Sequence, residues 1–168
     1  TSPADMNNFV IRTPQSAMTV AAFEAVGAKP TPMALAEVFT SLQQGTIEGQ
    51  ENPLAMIQNS SFYEVQDYVI RTEHLRAWVY IAMGLEQFNA LPADLQQVVV
   101  DGGKEMQKYE HEIFLKNESE LESKLAEEGM EFVDVDQKAF SDAMTNGVLA
   151  VLTDSQKALY EKISAATA

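Results

Sequence analysis

Cysteine is absent from the 168 residues, so no disulfide staples this chain, no thiolate nucleophile is available, and cysteine usage says nothing of its redox compartment. Basic residues are scarce. Eleven Lys and Arg stand against 25 Asp and Glu, a formal charge of −14, which argues against a nucleic-acid partner or an anionic membrane surface. No apolar run approaches the roughly 18 residues that cross a bilayer, so no direct membrane insertion is expected. The opening TSPADMNN has neither the basic region nor the apolar stretch of a targeting segment, which says little of location because such segments are removed on maturation. Enzyme signatures are missing too: there is no G-x-S-x-G, no phosphate loop and no H-E-x-x-H, and His74 and His111 lie far apart. His111 and the acidic clusters at Glu118, Glu120, Glu122, Glu127 and Glu128 read as solvated helix surface, and a metal is not expected.

What is present is organised around the stretch from Lys29 to Leu54. Leu35, Val38, Phe39 and Leu42 recur at i, i+3, i+4 and i+7, the apolar stripe of a helix lying on a core. Gly45 ends it, since glycine takes the left-handed position after a helix without a Cβ penalty. After a short segment from Thr46 to Glu51, Asn52 followed by Pro53 reads as an N-cap with proline in the first helical position. A helix start of that kind stabilises an anion, or Asn52 simply caps its own helix.

Phe9 to Ile11 has strand character and ends at Arg12-Thr13-Pro14, and Gln15 to Val26 is predicted as a helix with Met18, Ala21, Ala22 and Ala25 on one face. Ala28 to Met33 is extended, pushed to a sheet edge by Pro30 and Pro32. Strand then helix, twice over, predicts an α/β fold with a parallel or mixed sheet, in which ligands bind beyond the carboxyl ends of the strands. Further strands are expected at Tyr68 to Thr72, Trp78 to Met83 and Glu131 to Val135. A long helix from Pro92 to Glu128 follows the second of these, with Gly102-Gly103 marking a bend or close packing. Asp136 caps a helix to Leu152, and another runs from Ser155 to Ala165. Arg12, a lone cation before a turn in an acidic chain, either pairs with a local Asp or Glu or grips a ligand carboxylate through two parallel hydrogen bonds.

Taken in order, Ile11-Arg12-Thr13-Pro14-Gln15, Val26-Gly27-Ala28-Lys29-Pro30-Thr31-Pro32-Met33, Glu37-Val38-Phe39, Leu42-Gln43-Gln44-Gly45, Glu48 to Leu54, and Phe62-Tyr63-Glu64-Val65-Gln66 resemble the solute-binding proteins of TRAP transporters, the tripartite ATP-independent periplasmic systems that import organic acids. The resemblance implies a periplasmic, non-enzymatic receptor that binds a small organic acid between two α/β lobes and delivers it to membrane subunits, with no cofactor. It implies that residues 1–91 form the second ligand-binding lobe and residues 92–168 a long back helix, one strand and C-terminal helices, the first lobe being absent from this chain. In the resemblance Arg12 pairs with the ligand carboxylate, Asn52 donates to the same group, Gln15 lies beside it, Leu35 and Ala77 line the pocket, and His74 is close by. Gln50 is counted with the ligand-binding residues, and the sequence does not say whether a cation joins the site through it or Glu51. Many members place an aromatic ring at the positions of Leu35 and Ala77. Their replacement here favours an aliphatic organic acid over a sugar acid or a cyclic zwitterion. Two other readings are an enzyme that anchors a carboxylate substrate on Arg12 with His74 or Glu51 as base, and a helical interaction domain built on the long helix.

Overall fold

A computed structural model describes residues 2–75 and 80–167. Its centre is a three-stranded sheet in the order β2-β1-β3, with β1 at Val10–Thr13, β2 at Lys29–Pro32 and β3 at Gly49–Gln50. Both pairings are parallel, and they set Ile11 opposite Pro30 and Gly49, and Arg12 opposite Thr31 and Gln50. β2 occupies an edge, where Pro30 and Pro32 cost least because proline has no amide to give a second neighbour. β1 extends two residues beyond the expected Ile11, so Arg12 sits inside the strand instead of after it.

Side chains alternate along a strand, and the core follows that alternation. Ile11 points to one face and packs with Phe23 and Val26 of α1 (Ala17–Ala25) and Phe140 and Met144 of α6 (Gln137–Val151). Val10 points to the other, onto a second cluster that holds Val38 and Leu42 of α2 (Leu35–Gln43), Ile57 of α3 (Leu54–Asn59), Phe62, Leu125 and Met130. The result is a helix, sheet, helix sandwich with α1 and α6 on one side and α2 and α3 on the other.

Local signals account for most boundaries and correct a few. Ser16 caps α1 by accepting from the Thr19 amide at 3.3 Å, so the helix begins at Ala17 and Gln15 stays in the turn. Its buried face is Ala21, Ala22 and Phe23, with Met18 and Ala25 exposed, because the bulk of Phe23 belongs in the core. Gly45 has φ +68, as its place after α2 demands. Asp136 caps α6 through the Ala139 amide at 3.0 Å. A second pair of parallel strands, β4 (Tyr68–Ile70) and β5 (Glu131–Val133), is closed by Arg71, which pairs with Asp134 at 2.8 Å and lies 4.9 Å over the ring of Phe132.

The chain divides into two compact units, one of Thr1–His74 with Leu125–Ala168, the other of Leu75–Lys124. The second unit contains α4 (Leu85–Asn89) and most of α5 (Ala93–Glu127), and many of its apolar side chains, including Leu85, Val98, Tyr109 and Leu115, are exposed. α5 runs unbroken through Gly102-Gly103, and nothing lies within 4 Å of a Cβ built on either, so close packing is not why they are glycines. Of the strand expected at Trp78 to Met83, residues 76–79 lie outside the described residues and Tyr80 to Met83 has no regular structure. A final helix, α7, spans Asp154–Thr167.

Candidate functional site

Because β1, β2 and β3 run in one direction, their carboxyl ends share one edge of the sheet. From β1 the chain passes through α1 to β2 on one side, and α2 then returns it to β3 on the other side of β1. Since α1 and α2 cover opposite faces, the connections part between β1 and β3. Open α/β sheets bind ligands at such a switch point.

Arg12 stands at this crevice. It is 6% exposed, and its Nε and Nη2 both donate to the Met33 carbonyl, at 3.1 and 2.9 Å. Two of five N–H groups are thereby used and the guanidinium is locked, leaving three donors. Among the described residues no Asp or Glu pairs with it, which removes the local salt bridge left open by the sequence. A buried cation without a counter-ion is costly, and this one persists in a chain rich in carboxylates.

The ladder places Gln50 beside Arg12, and Asn52, two residues on, falls on the same side. Asn52 Nδ2 donates to Gln50 Oε1 at 2.6 Å. Asn52 does not cap α3, contrary to the sequence expectation. Pro53 takes that position with extended backbone, its carbonyl accepting from the Met56 and Ile57 amides, and the Asn52 amide turns to Gln50 instead.

Glu51, between them, alternates to the opposite face and meets His74. Glu51 Oε2 lies 3.4 Å from His74 Nε2, without the alignment of a hydrogen bond, while His74 Nδ1 is 2.7 Å from Thr72 Oγ1. The imidazole stands edge-on to Phe23 with ring centres 5.1 Å apart, and Glu73 takes φ +46 to turn the chain into this position. Backbone in that region is uncommon for a residue other than glycine, and Asn8 and Ser61 also adopt it.

Of the remaining candidates, Gln15 lies exposed in the turn between β1 and α1, and Leu35 opens α2 two residues after Met33 with 37% of its surface exposed. Ala77 lies outside the described residues. Arg12 and Gln50 are thus neighbours across the β1–β3 ladder and Asn52 bonds to Gln50, while the Arg12 guanidinium is tied to Met33 just past β2; His74 with Glu51 forms a separate pair on the other face. The sequence did not point to the Met33 carbonyl, since a backbone acceptor leaves no signature in residue type. Thr13, fully buried at the end of β1, has a hydroxyl with no partner among the described residues, and it too was missed.

Comparison with known proteins identifies relatives of the chain. A solute-binding protein of Roseobacter denitrificans is 42% identical over 97% of this chain and 50% of its own length. The 2,3-diketo-L-gulonate-binding periplasmic protein of Escherichia coli is 35% identical over 88% of this chain and 45% of its own. Among solved structures, a TRAP periplasmic solute-binding protein from Roseobacter denitrificans with bound L-galactonate has 42% identity and a TM-score of 0.83, covering 96% of this chain and 54% of the other. One from Sulfitobacter with bound β-D-galacturonate has 27% identity and a TM-score of 0.78, covering 89% and 51%. The chain therefore spans about half the length of the relatives it matches. With residues 1–153 matched to the family described as bacterial extracellular solute-binding protein, family 7, the chain belongs to that family.

Proposed function

We propose that this chain is the carboxylate-holding part of a periplasmic receptor that captures an organic acid and hands it to the membrane subunits of a TRAP importer. The observation that carries the reading is the state of Arg12: buried, locked by Met33, unpaired by any carboxylate among the described residues, and set at the switch point of a parallel sheet. An incoming carboxylate supplies the counter-ion and accepts from the three remaining guanidinium donors, with Asn52 donating alongside. Gln50, Gln15 and Leu35 surround the ligand, and His74 with Glu51 supports the site from the other face. Residues 1–91 then act as the second lobe, and residues 92–168 as the back helix with its following strand and helices. The receptor binds and releases without chemistry, and closure over the ligand creates the shape that the membrane subunits recognise.

The relatives narrow the ligand class. The expectation from Leu35 and Ala77 was an aliphatic acid and not a sugar acid, and the L-galactonate bound by a 42% identical relative, itself a sugar acid, runs against it; an open-chain hydroxy acid is the class we take from that relative. A thermal-shift screen on this chain extended to the length of its relatives tests the proposal. A ligand at 100 times its Kd stabilises the folded state by about 2.7 kcal/mol. Hits are expected among open-chain hydroxy acids and none among the corresponding neutral polyols. Equal stabilisation by the neutral polyols would contradict it.

A further inference from the structure

His74 carries a ring nitrogen that the free protein leaves unsatisfied. Its Nδ1 lies 2.7 Å from Thr72 Oγ1, while its Nε2 is buried without a hydrogen-bond partner among the described residues and faces Glu51 Oε2 at 3.4 Å. Both side chains are sheltered, at 17% and 11% exposure. Among the described residues Glu51 is the one charged side chain within ion-pair distance of the ring. α1 presents only the Phe23 ring to it, the neighbouring Glu73 is exposed, and Arg12 lies on the opposite face with its guanidinium tied to Met33. These surroundings suit an imidazolium. Its two N–H groups donate one to Thr72 Oγ1 and one to Glu51, whereas the neutral ring has a single N–H for both.

The second proton on that ring is tied to the ligand by charge. In the free protein Arg12 and Glu51 bring formal charges of +1 and −1, and a neutral His74 leaves their sum at zero. Gln50, Glu51 and Asn52 are consecutive, so Glu51 hangs from the same strand end whose other face meets Arg12. A carboxylate bound there occupies the Arg12 charge and adds −1 close to Glu51, and a proton on His74 returns the sum to zero. Resting on the carboxylate-receptor reading above, we infer that His74 is a proton-binding site coupled to the ligand: the organic acid enters together with a proton, which the imidazole holds between Thr72 and Glu51. The proton comes from solvent and returns to it on release. Imidazole is the side chain that titrates in the neutral range, so the coupling operates between about pH 6 and 8.

A complex that binds more protons than its free components is favoured as pH falls. The ligand's own carboxyl, an ordinary carboxylic acid, is ionised throughout this range and contributes nothing. Affinity therefore rises by about 3- to 10-fold from pH 8 to pH 6 and levels off below, which corresponds to a peak uptake of about 0.3 to 0.5 proton per ligand. An imidazole that only pins the chain through Thr72 predicts neither effect.

The experiment is calorimetric titration of open-chain hydroxy acids of three to six carbons into the chain extended to the length of its relatives. It is run at about pH 6, 7 and 8 in buffers of different ionisation enthalpy, whose slope against the apparent enthalpy gives the proton count, and repeated on His74→Gln and Glu51→Gln. The expected result is an uptake of about 0.3 to 0.5 proton near pH 7, abolished in His74→Gln and at least about halved in Glu51→Gln. Binding with no uptake at any of the three pH values overturns the inference and leaves the carboxylate-receptor reading standing. An uptake that persists in His74→Gln overturns the assignment to His74, and one unchanged in Glu51→Gln overturns the part given to Glu51. Should no acid in the panel bind, the carboxylate reading fails, and this inference fails with it. If His74→Gln does not fold or does not bind, NMR titration of the His74 ring in the wild-type chain decides: a midpoint moved to higher pH by the ligand supports the inference, and an unmoved one overturns it.

Discussion

A guanidinium that is 6% exposed, hydrogen-bonded twice to one carbonyl and unpaired by any carboxylate among the described residues is a liability in the free protein. Arg12→Met should therefore raise stability, by about 1 kcal/mol or more, while removing the anchor for the ligand; urea unfolding of the variant checks the sign. A fall in stability would mean that the bonds to Met33 outweigh the cost of the buried charge. Thr13 makes a parallel case without a ligand. Its hydroxyl is fully buried with no partner among the described residues, so Thr13→Val, which keeps the shape, should stabilise by about 1 kcal/mol in the same measurement. At this scale Arg12 was legible as a cation standing before a turn in an acidic chain. The Met33 carbonyl was not, because backbone acceptors are contributed by the fold and not by residue type. Asn52 was legible as a polar residue at a helix start, but its partner was not: Asn-Pro reads as a cap until the extended Pro53 and the nearby Gln50 oxygen are seen together.

Two glycines separate backbone conformation from packing at the level of elements. Gly45 has φ +68 with open space around it, so Gly45→Ala should cost about 1 kcal/mol through strain in the left-handed region. Gly147 in α6 is the opposite case. A Cβ there would overlap the Ala21 carbonyl oxygen and come within 2.7 Å of the Ala25 Cβ, so α1 and α6 touch through Gly147. Gly147→Ala should force those helices apart and cost about 1 to 3 kcal/mol, more than the substitution at Gly45; thermal unfolding of both variants tests the order. Hydrophobic spacing and glycine stops made α2, α5 and their ends readable. The close approach of α1 and α6 was not readable, since Gly147 lies inside a helical pattern and its neighbours at Ala21 and Ala25 are over a hundred residues away. Edge position, by contrast, was evident for β2 from its two prolines.

Taken whole, the alternation of strand and helix foretold a parallel α/β layer, and the switch point between β1 and β3 follows from strand order, which only the folded chain displays. The chain spans half the length of its relatives, and this bears on affinity. One arginine–carboxylate interaction contributes about 1.5 to 3 kcal/mol, whereas micromolar binding requires about 8. By itself the chain should therefore bind a hydroxy acid more weakly than micromolar, and calorimetry reporting micromolar affinity for the isolated chain would show that the contacts described are incomplete. The central claim is that Arg12 takes the ligand's carboxylate, and its most direct measurement is titration of one tight-binding organic acid into the chain extended to its relatives' length and into the Arg12→Lys variant. Lysine keeps the charge and loses the planar fork, so the account predicts at least about a 10-fold weaker Kd with an unchanged fold. An unchanged Kd would contradict it.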